Sequence, residues 1–583
     1  MKYQLDRLPK ELSRKDKRKE YAHSVAQEIR AGVSAREGLA KRWKTNEDNY
    51  RNINDSAYEL VPGAVPMHIP LVQPMLDRIN GTVYQSIIGV DPWVQVIPEM
   101  DDAGIGDAVE RDLQFLMNRA RFPKRLWSAL KITSCTNCGL LRLRYENTVG
   151  FVIDVVHPND FMVYPSSATS LDLSKSCGHR FYRTVSQIKA MQKSGAWIDT
   201  YEQDLTQLST TDPMKDDSGR SQEYTKVTNN ELGPDDASVE LWEIVRREDF
   251  GEAGPMWYKC IIALDSEVLL DCAPFGVHMP MLDGSQQFIP YSGPDYFDFR
   301  YDDEYGIFWP SGSPAQNLQG VQNALNDAFN IWYWGNVASA FPAVVISGGS
   351  LGKKLEKLVP GAIIENESQV QAQIVGVTFN GSAFPEVVDR LQMAAEGAVR
   401  INRMAIGQEL KSHTTATAAA GQMEMQRQSE DQYTAYISLG LVNFYTRAYE
   451  LYRLHHQDIL NSFGPSIEVK DPMALESLRF NFEPNGAHST NNPQALVQKL
   501  QMLLAMSAQP GTSLAYPMVE QAVVRALQLP FSVAKITIPP EVAAQQLMGA
   551  AQGQPMGEDV QGALGQMNPQ QMQGILAQLG GMG

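Results

Sequence analysis

The chain contains no GxxxxGK[ST] phosphate loop and no HExxH pair anywhere in its 583 residues. Each of those chemistries needs its residues at that spacing, so a P-loop ATPase and a zincin drop out. No apolar run approaches the roughly 20 residues that a membrane span requires, and the polar, charged N-terminal stretch does not read as a signal peptide. Cysteine is scarce, at 5 in all. An odd number at irregular spacing does not make a secreted disulfide framework and fits reduced thiols in a cytosol. One set invites a metal: Cys135 and Cys138 form CTNC, Cys177 and His179 form CGH, and together they spell a Cys3His zinc site. The surroundings favour small core residues instead, because residues 126–137 read as a helix ending at Gly139 before the strand LLRLRYE. No metal and no cofactor is expected.

Positive charge is also in deficit, with 50 Lys and Arg against 67 Asp and Glu and a formal net charge of -17. A protein that grips nucleic acid neutralises phosphates with Lys and Arg, and this chain cannot do so globally. With 43% hydrophobic and 20% charged residues it can bury substantial cores, and its length implies several subdomains.

Helical periodicity is what the sequence does hold. Ser313-Pro314 pairs an N-cap residue with proline at the first helical position, and Leu318, Val321, Leu325, Phe329 and Trp332 follow at spacings of three and four. Asn323, Asn326, Asp327 and Asn330 fall on another face, so this helix is amphipathic. Phe341-Pro342 ends it, since proline disfavours helical geometry in the residue before it. About 28 residues at 1.5 Å each predict a rod of roughly 42 Å. A second helix from near Ser382 repeats Val387/Val388, Leu391, Ala394/Ala395, Ala398 and Ile401, with Glu386, Asp389, Arg390, Glu396, Arg400 and Arg403 on wetter faces. Between the two, residues 343–379 read as strand, turn, short basic helix, strand and strand. The run GQELKSHTTATAAAGQ then interrupts the helical pattern, and residues 423–457 resume it through Tyr433, Ile437, Gly440, Phe444, Ala448, Leu451 and His455.

Upstream, residues 75–102 read as a helix followed by an extended segment. Residues 155–197 read as a hairpin, a Pro-Asn-Asp-Phe turn, then Arg and a Thr-led helix. Gly306, Gln319, Gln322 and Asn323 precede or open the first long helix. In this order the features resemble the bacteriophage portal protein family, and within it the portals of short-tailed phages. The resemblance spans most of the chain and rests on shared order rather than on one specific motif. It implies an α+β, mainly helical portal fold with wing, stem, clip and C-terminal crown, closed into a cyclic ring. The wing would occupy 1–305, the first stem helix 306–341, the clip 342–381, the second stem helix 382–404 and the tunnel loop 405–420. A long wing helix and return segment would follow over 421–490, and a crown-like helical region with a Gln/Gly/Met-rich tail over 491–583. Composition adds an exposed loop at about 204–236, rich in Asp, Ser, Thr, Asn and Gly, before the strands SVELWEIVRRED, MWYKCIIAL and SEVLLD.

The resemblance further implies a homo-oligomer, usually a dodecamer, at one capsid vertex of the virion after assembly in the host cytoplasm. Such a ring nucleates the shell with major capsid and scaffolding proteins and docks the terminase large subunit. It then conducts double-stranded DNA without sequence specificity and anchors the head–tail adaptor, and it is not an enzyme. Twelve copies would carry on the order of -200 formal charges, a field that disfavours adhesion of a passing polyanion. Leu318, Val321, Leu325, Phe329, Trp332, Val388, Leu391, Ala395 and Ala398 would pack stem against stem. Lys411, His413, Thr414, Thr415 and Thr417 would face DNA in the tunnel loop, and Lys353, Lys354 and Lys357 in the clip would meet the motor or adaptor.

The same residues admit rival readings. The acidic run DYFDFRYDDEYG can be drawn as a divalent-metal nuclease cluster, against a solvated turn with aromatic anchors. Trp332, Tyr333 and Trp334 can be drawn as a base-stacking platform, against an intersubunit core. The mixed-charge segment 2–44 reads as a solvated helix face rather than a DNA grip. A different head–tail adaptor or an internal core protein is the alternative in another class, but an adaptor would be shorter and would lack the paired wing features.

Overall fold

The computed structural model describes residues 8–53, 67–89, 92–98, 103–198, 238–250, 254–280, 286–302, 308–309, 312–340, 343–347, 363–366, 371–375, 381–399, 416–471, 475 and 480–484. The chain divides into two compact units, Met1–His488 and Ser489–Gly583. The expected crown and the exposed loop at 204–236 lie outside the described residues. Nine α-helices and fifteen strands among the described residues make the architecture mixed α+β.

The longest sheet is an antiparallel meander of β4 (Phe161–Tyr164), β5 (Ser176–Thr184), β6 (Ser238–Glu248), β7 (Met256–Ala263) and β8 (Val268–Pro274). Side chains alternate between the faces of a strand, so β6 sends Trp242 and Ile244 to one side and Val239 and Leu241 to the other. The first pair packs with Ala22, Val25, Ala26 and Ile29 of the helix α1 (Lys15–Tyr50). The second pair packs with Ile188 of α5 (Val185–Lys193) and with Trp197. Thr184 starts α5 through a capping box with Gln187, as a Thr-led helix should. A register shift between Ile261 and Ile262 inserts an extra residue in β8, which is why Leu269 and Cys272, three apart, both reach the core under α1.

The largest core lies among the helices α2 (Val72–Ile88), α3 (Ala103–Arg119) and α4 (Phe122–Thr136) and the sheet of β2 (Gly139–Glu146), β3 (Gly150–Val156) and β11 (Tyr296–Phe299), ordered β11-β2-β3. The pair β1 (Val94–Pro98) and β15 (Phe480–Pro484) closes it, and β9 (Gly276–Pro280) with β10 (Gln286–Pro290) forms a separate ribbon. Phe122 stacks on Phe444 with centroids 5.2 Å apart. The α4 helix stops at Asn137, which takes the left-handed conformation at φ 55, a helix-ending geometry Asn tolerates. Its side chain accepts from the backbone N–H of Tyr301 at 2.8 Å and donates to the Asp302 carbonyl at 2.9 Å.

The acidic run at 295–306 is therefore not a solvated turn over its first half. Residues 296–299 are strand β11, and Asp295 is 2% exposed and held by Arg142 Nε at 2.8 Å. The alternating aromatics of YFDF supply the strand pattern that the acids obscured.

The helix α6 (Pro314–Ala340) leads to three short strands, β12 (Ala343–Ser347), β13 (Ile363–Asn366) and β14 (Gln371–Val375), and the chain then enters α7 (Phe384–Val399). In the order β13-β12-β14, β12 runs parallel to β13 and antiparallel to β14. A β-rich excursion does join two long helices. α6 begins at Pro314, where the Ser313-Pro314 pair places it and inside the segment assigned from 306, because Ser313 Oγ accepts from the Gln316 backbone N–H at 3.1 Å and caps the helix there. α7 begins at Phe384 behind a 3-10 turn at Gly381–Ala383. The next helix, α8 (Ala416–Leu454), starts seven residues before the expected 423. Alanine-rich sequence carries no visible apolar stripe yet has the highest helix propensity. A short helix, α9 (His456–Phe463), follows.

Candidate assembly surface

Two stretches of α6 differ in what surrounds them. Up to Asn330 the helix is built into the body: Leu318 is 0% and Leu325 1% exposed, inside the largest core. Its polar face is buried as well. Gln322 Oε1 accepts from the N–H groups of Leu71 and Val72 at 3.0 and 3.2 Å, and Gln322 Nε2 donates to the Ile69 carbonyl at 2.7 Å. Asn326 Oδ1 accepts from Ile69 N–H at 3.1 Å, and Asn330 both accepts from and donates to the Met67 backbone, at 2.8 and 3.0 Å. Three carboxamides at i, i+4 and i+8 thus clamp the backbone of residues 67–72. Amides suit this because each offers a donor and an acceptor to a backbone that needs both. Asn323, Asn326, Asp327 and Asn330 do lie off the apolar stripe, but of the four only Asn323 and Asp327 are exposed. The even four-residue spacing was the available signal.

Beyond Asn330 no described residue of α6 is buried, and in α7 only Ala395 and Val399 are. The outer ends of the pair hold each other through aromatic rings. Trp332 stacks on Phe384 at 4.8 Å and 17°, and Phe329 touches Phe384 at 5.9 Å. The end of α6 thus meets the start of α7, and the helices run antiparallel. Ile331 is 53%, Met393 46% and Val387 41% exposed. Glycine adds a second sign of an uncovered face. A Cβ built on Gly320 of α6, or on Gly397 of α7, meets nothing within 4 Å. A mid-helix glycine costs roughly 0.5–1 kcal/mol against alanine, and nothing inside the described chain requires that sacrifice.

The nine residues expected to pack stem on stem therefore separate. Leu318, Leu325 and Ala395 are consumed by the chain's own core, leaving no surface for a neighbour, which corrects their assignment to an intersubunit contact. Val321, Phe329, Trp332, Val388, Leu391 and Ala398 are half-buried. Lys353, Lys354, Lys357, Lys411, His413, Thr414 and Thr415 lie outside the described residues, and Thr417 falls in α8 with its side chain outside them.

The strongly perturbed groups sit away from this surface and are engaged in structure. Arg142 bridges Glu243 and Asp295 between the two larger sheets, and Lys259 also pairs with Glu243. Burial alone would raise the Glu243 carboxyl, but Lys259, Arg142 and His179 hold it well below the usual range. His179 is pushed down to about 4 by burial and then by Arg142, and its Nδ1 lies 2.7 Å from the Tyr296 hydroxyl. Burial pushes the thiols of Cys135 and Cys138 up to about 12 and that of Cys177 well up. Protonated, buried thiols are poor ligands and nucleophiles. Among the described residues no group of three or more His, Cys, Asp or Glu is arranged to hold a metal ion, and no helix is long and apolar enough to cross a membrane.

No family model and no curated protein matches the chain. Among solved structures, it aligns with a chain described as the neck of an empty GTA particle computed with C6 symmetry. The alignment has 11% identity over 80% of this chain and 96% of that chain, with a TM-score of 0.28. A superposition that loose carries no argument about fold or function.

Proposed function

We propose that this chain is a structural component of a phage-type virion, and within that class a portal protein: a non-enzymatic subunit of a ring that passes double-stranded DNA. The observation that carries the reading is the antiparallel pair α6/α7. It is rooted in the core at one end, interrupted by a three-stranded excursion at the other, and apolar where its own chain leaves it uncovered. Such a pair gains by repetition. Exposed Ile331, Val387 and Met393 lose water when a neighbour covers them, at about 25 cal/mol per Å² of apolar surface, and a heterologous contact closes into a ring when the rotation permits. The open faces at Gly320 and Gly397 let a neighbouring helix approach closely.

The function then comes from geometry. Each helix pair forms one stave of a channel wall, and the net charge of -17 per chain keeps a polyanionic cargo from adhering to it. The remaining roles follow from the family resemblance: docking of the packaging motor at the β excursion, attachment of an adaptor afterwards, and shell nucleation. Electron microscopy of the purified protein tests the reading. Closed rings with an axial channel are expected; a monodisperse monomer at micromolar to millimolar concentration would sink it.

A further inference from the structure

The chain's acidity is unevenly spread. Between Asp112 and Glu146 there is no Asp or Glu at all, while seven Lys or Arg occur. Arg121, Lys124 and Arg125 of that stretch gather at the start of α4. All three are exposed, and none has an ion-pair partner among the described residues. Lys131 continues the same helix face, two to three turns on. Its ammonium sits over the rings of Trp127 and Tyr50 at 5.3 and 5.7 Å and reaches Asp77 only at 4.0 Å.

The fold gains nothing from cations at this place. The first turn of α4 has no acidic residue, so Lys124 and Arg125 stand against the positive end of the helix dipole. Arg121 and Arg125, four apart, repel each other. Arg121 also adopts the left-handed conformation at φ 57, which is costly for a residue other than glycine, at the corner between α3 and α4. Three local penalties in one patch, on a chain of net charge -17, mark a surface whose compensation comes from outside.

We infer that this face of α4 binds the phosphate backbone of duplex nucleic acid. From Arg121 to Lys131 the face extends about 15 Å, a length along which a duplex presents roughly nine phosphate charges. Trp127, half-buried and edge-on to Tyr84 at 5.4 Å, borders the cations with an aromatic wall. Lys and Arg clustered on one helix face are the electrostatic footprint of contact with a phosphate backbone. The inference deepens the proposed function by naming a DNA-contacting surface, and rests on it only for the identity of the duplex.

The test uses the full chain and a fluorescein-labelled duplex of about 30 base pairs, with binding followed by anisotropy against salt. Four phosphate contacts predict a log–log slope near -3.6. The variant R121E/K124E/R125E should lower the affinity at least roughly tenfold and remove about three contacts from the slope. It should also raise the melting temperature, because the reversal places acids at the helix N-terminus. Reversal elsewhere, R183E at the end of β5 with K189E/K193E on α5, should leave duplex binding close to wild type. Unchanged affinity and slope in the α4 variant would overturn the inference. Tighter binding of polyglutamate than of duplex would overturn it too, in favour of an acidic protein. Ring formation is scored separately by microscopy, so loss of rings bears on the proposed function and loss of duplex binding on this surface.

Discussion

The inner and outer parts of α6 are one continuous helix with opposite relations to the rest of the molecule. In the inner part both the apolar and the carboxamide face are used: Leu318 and Leu325 fill the core, and Gln322, Asn326 and Asn330 bond the backbone of residues 67–72. In the outer part Trp332 stacks on Phe384 of α7, and Ile331 faces solvent. The difference teaches that apolar residues at equal helical spacing do not carry equal meaning. One half stabilises the subunit, and the other half is available to a second copy.

The largest effect that would sharpen this contrast comes from Leu325→Asp. A carboxylate placed in the core should cost more than about 4 kcal/mol and yield no soluble folded subunit. Circular dichroism and expression level would measure it; a folded variant would mean that the core around α6 is misassigned. The paired change Ile331→Asp/Val387→Asp should leave the monomer's stability within about 0.5 kcal/mol, as for other surface substitutions, yet abolish rings in negative-stain images. Rings that survive it would break the comparison at the outer half.

Acid probes the inner body apart from assembly. His455, at the end of α8, is pushed down to about 4 by burial and then by Arg447, against the opposing pull of Asp458. It stacks on Tyr145 at 4.1 Å and meets the Tyr291 hydroxyl at 3.0 Å. An unfolded histidine titrates near 6.5, so as pH falls the unfolded chain takes up the proton first. Stability should therefore decline from about pH 6.5 down to about 4, by up to about 3 kcal/mol for this group. Urea midpoints across that range measure the decline. His455→Phe, which keeps the stack, should make it shallower while leaving the part that His179 contributes over the same range, and an unaltered profile would remove His455 as a source.

Asn326→Ala leaves the Ile69 amide without its acceptor and should cost about 1–3 kcal/mol. Hydrogen exchange at Ile69 should speed up while α7 keeps its protection. The smallest effect is the most discriminating in sign. Gly320→Ala should stabilise the isolated subunit by roughly 0.5–1 kcal/mol, since the added methyl meets open space, while weakening ring assembly. A variant that is more stable and assembles normally would leave the glycine unexplained.

Much of the helical framework was legible in the residues. Ser313-Pro314 marked the start of α6, Phe341-Pro342 its end, and Thr184 with Gln187 the start of α5, because caps and proline act locally. The three strands between α6 and α7 were legible for the same reason: short apolar runs between turn signals. Signals that depend on partners were not. Asn326 and Asn330 read only as a polar face until residues 67–72, far off in sequence, were found against them, and Asp295 looked like part of a turn until Arg142 came from β2 to neutralise it. The early start of α8 was missed because alanine gives a helix no stripe to read.

The amino-acid sequence by itself determined the order of helices and strands, the deficit of positive charge and its local reversal between Asp112 and Glu146, since propensity, capping and charge belong to residues and their near neighbours. Only the tertiary structure decided which apolar residues of α6 and α7 the chain keeps for itself and which it leaves open. It also decided that the exposed cations of α4 stand without a counter-charge among the described residues. Burial and ion pairing depend on segments far apart in the chain, and no local pattern records where those segments meet.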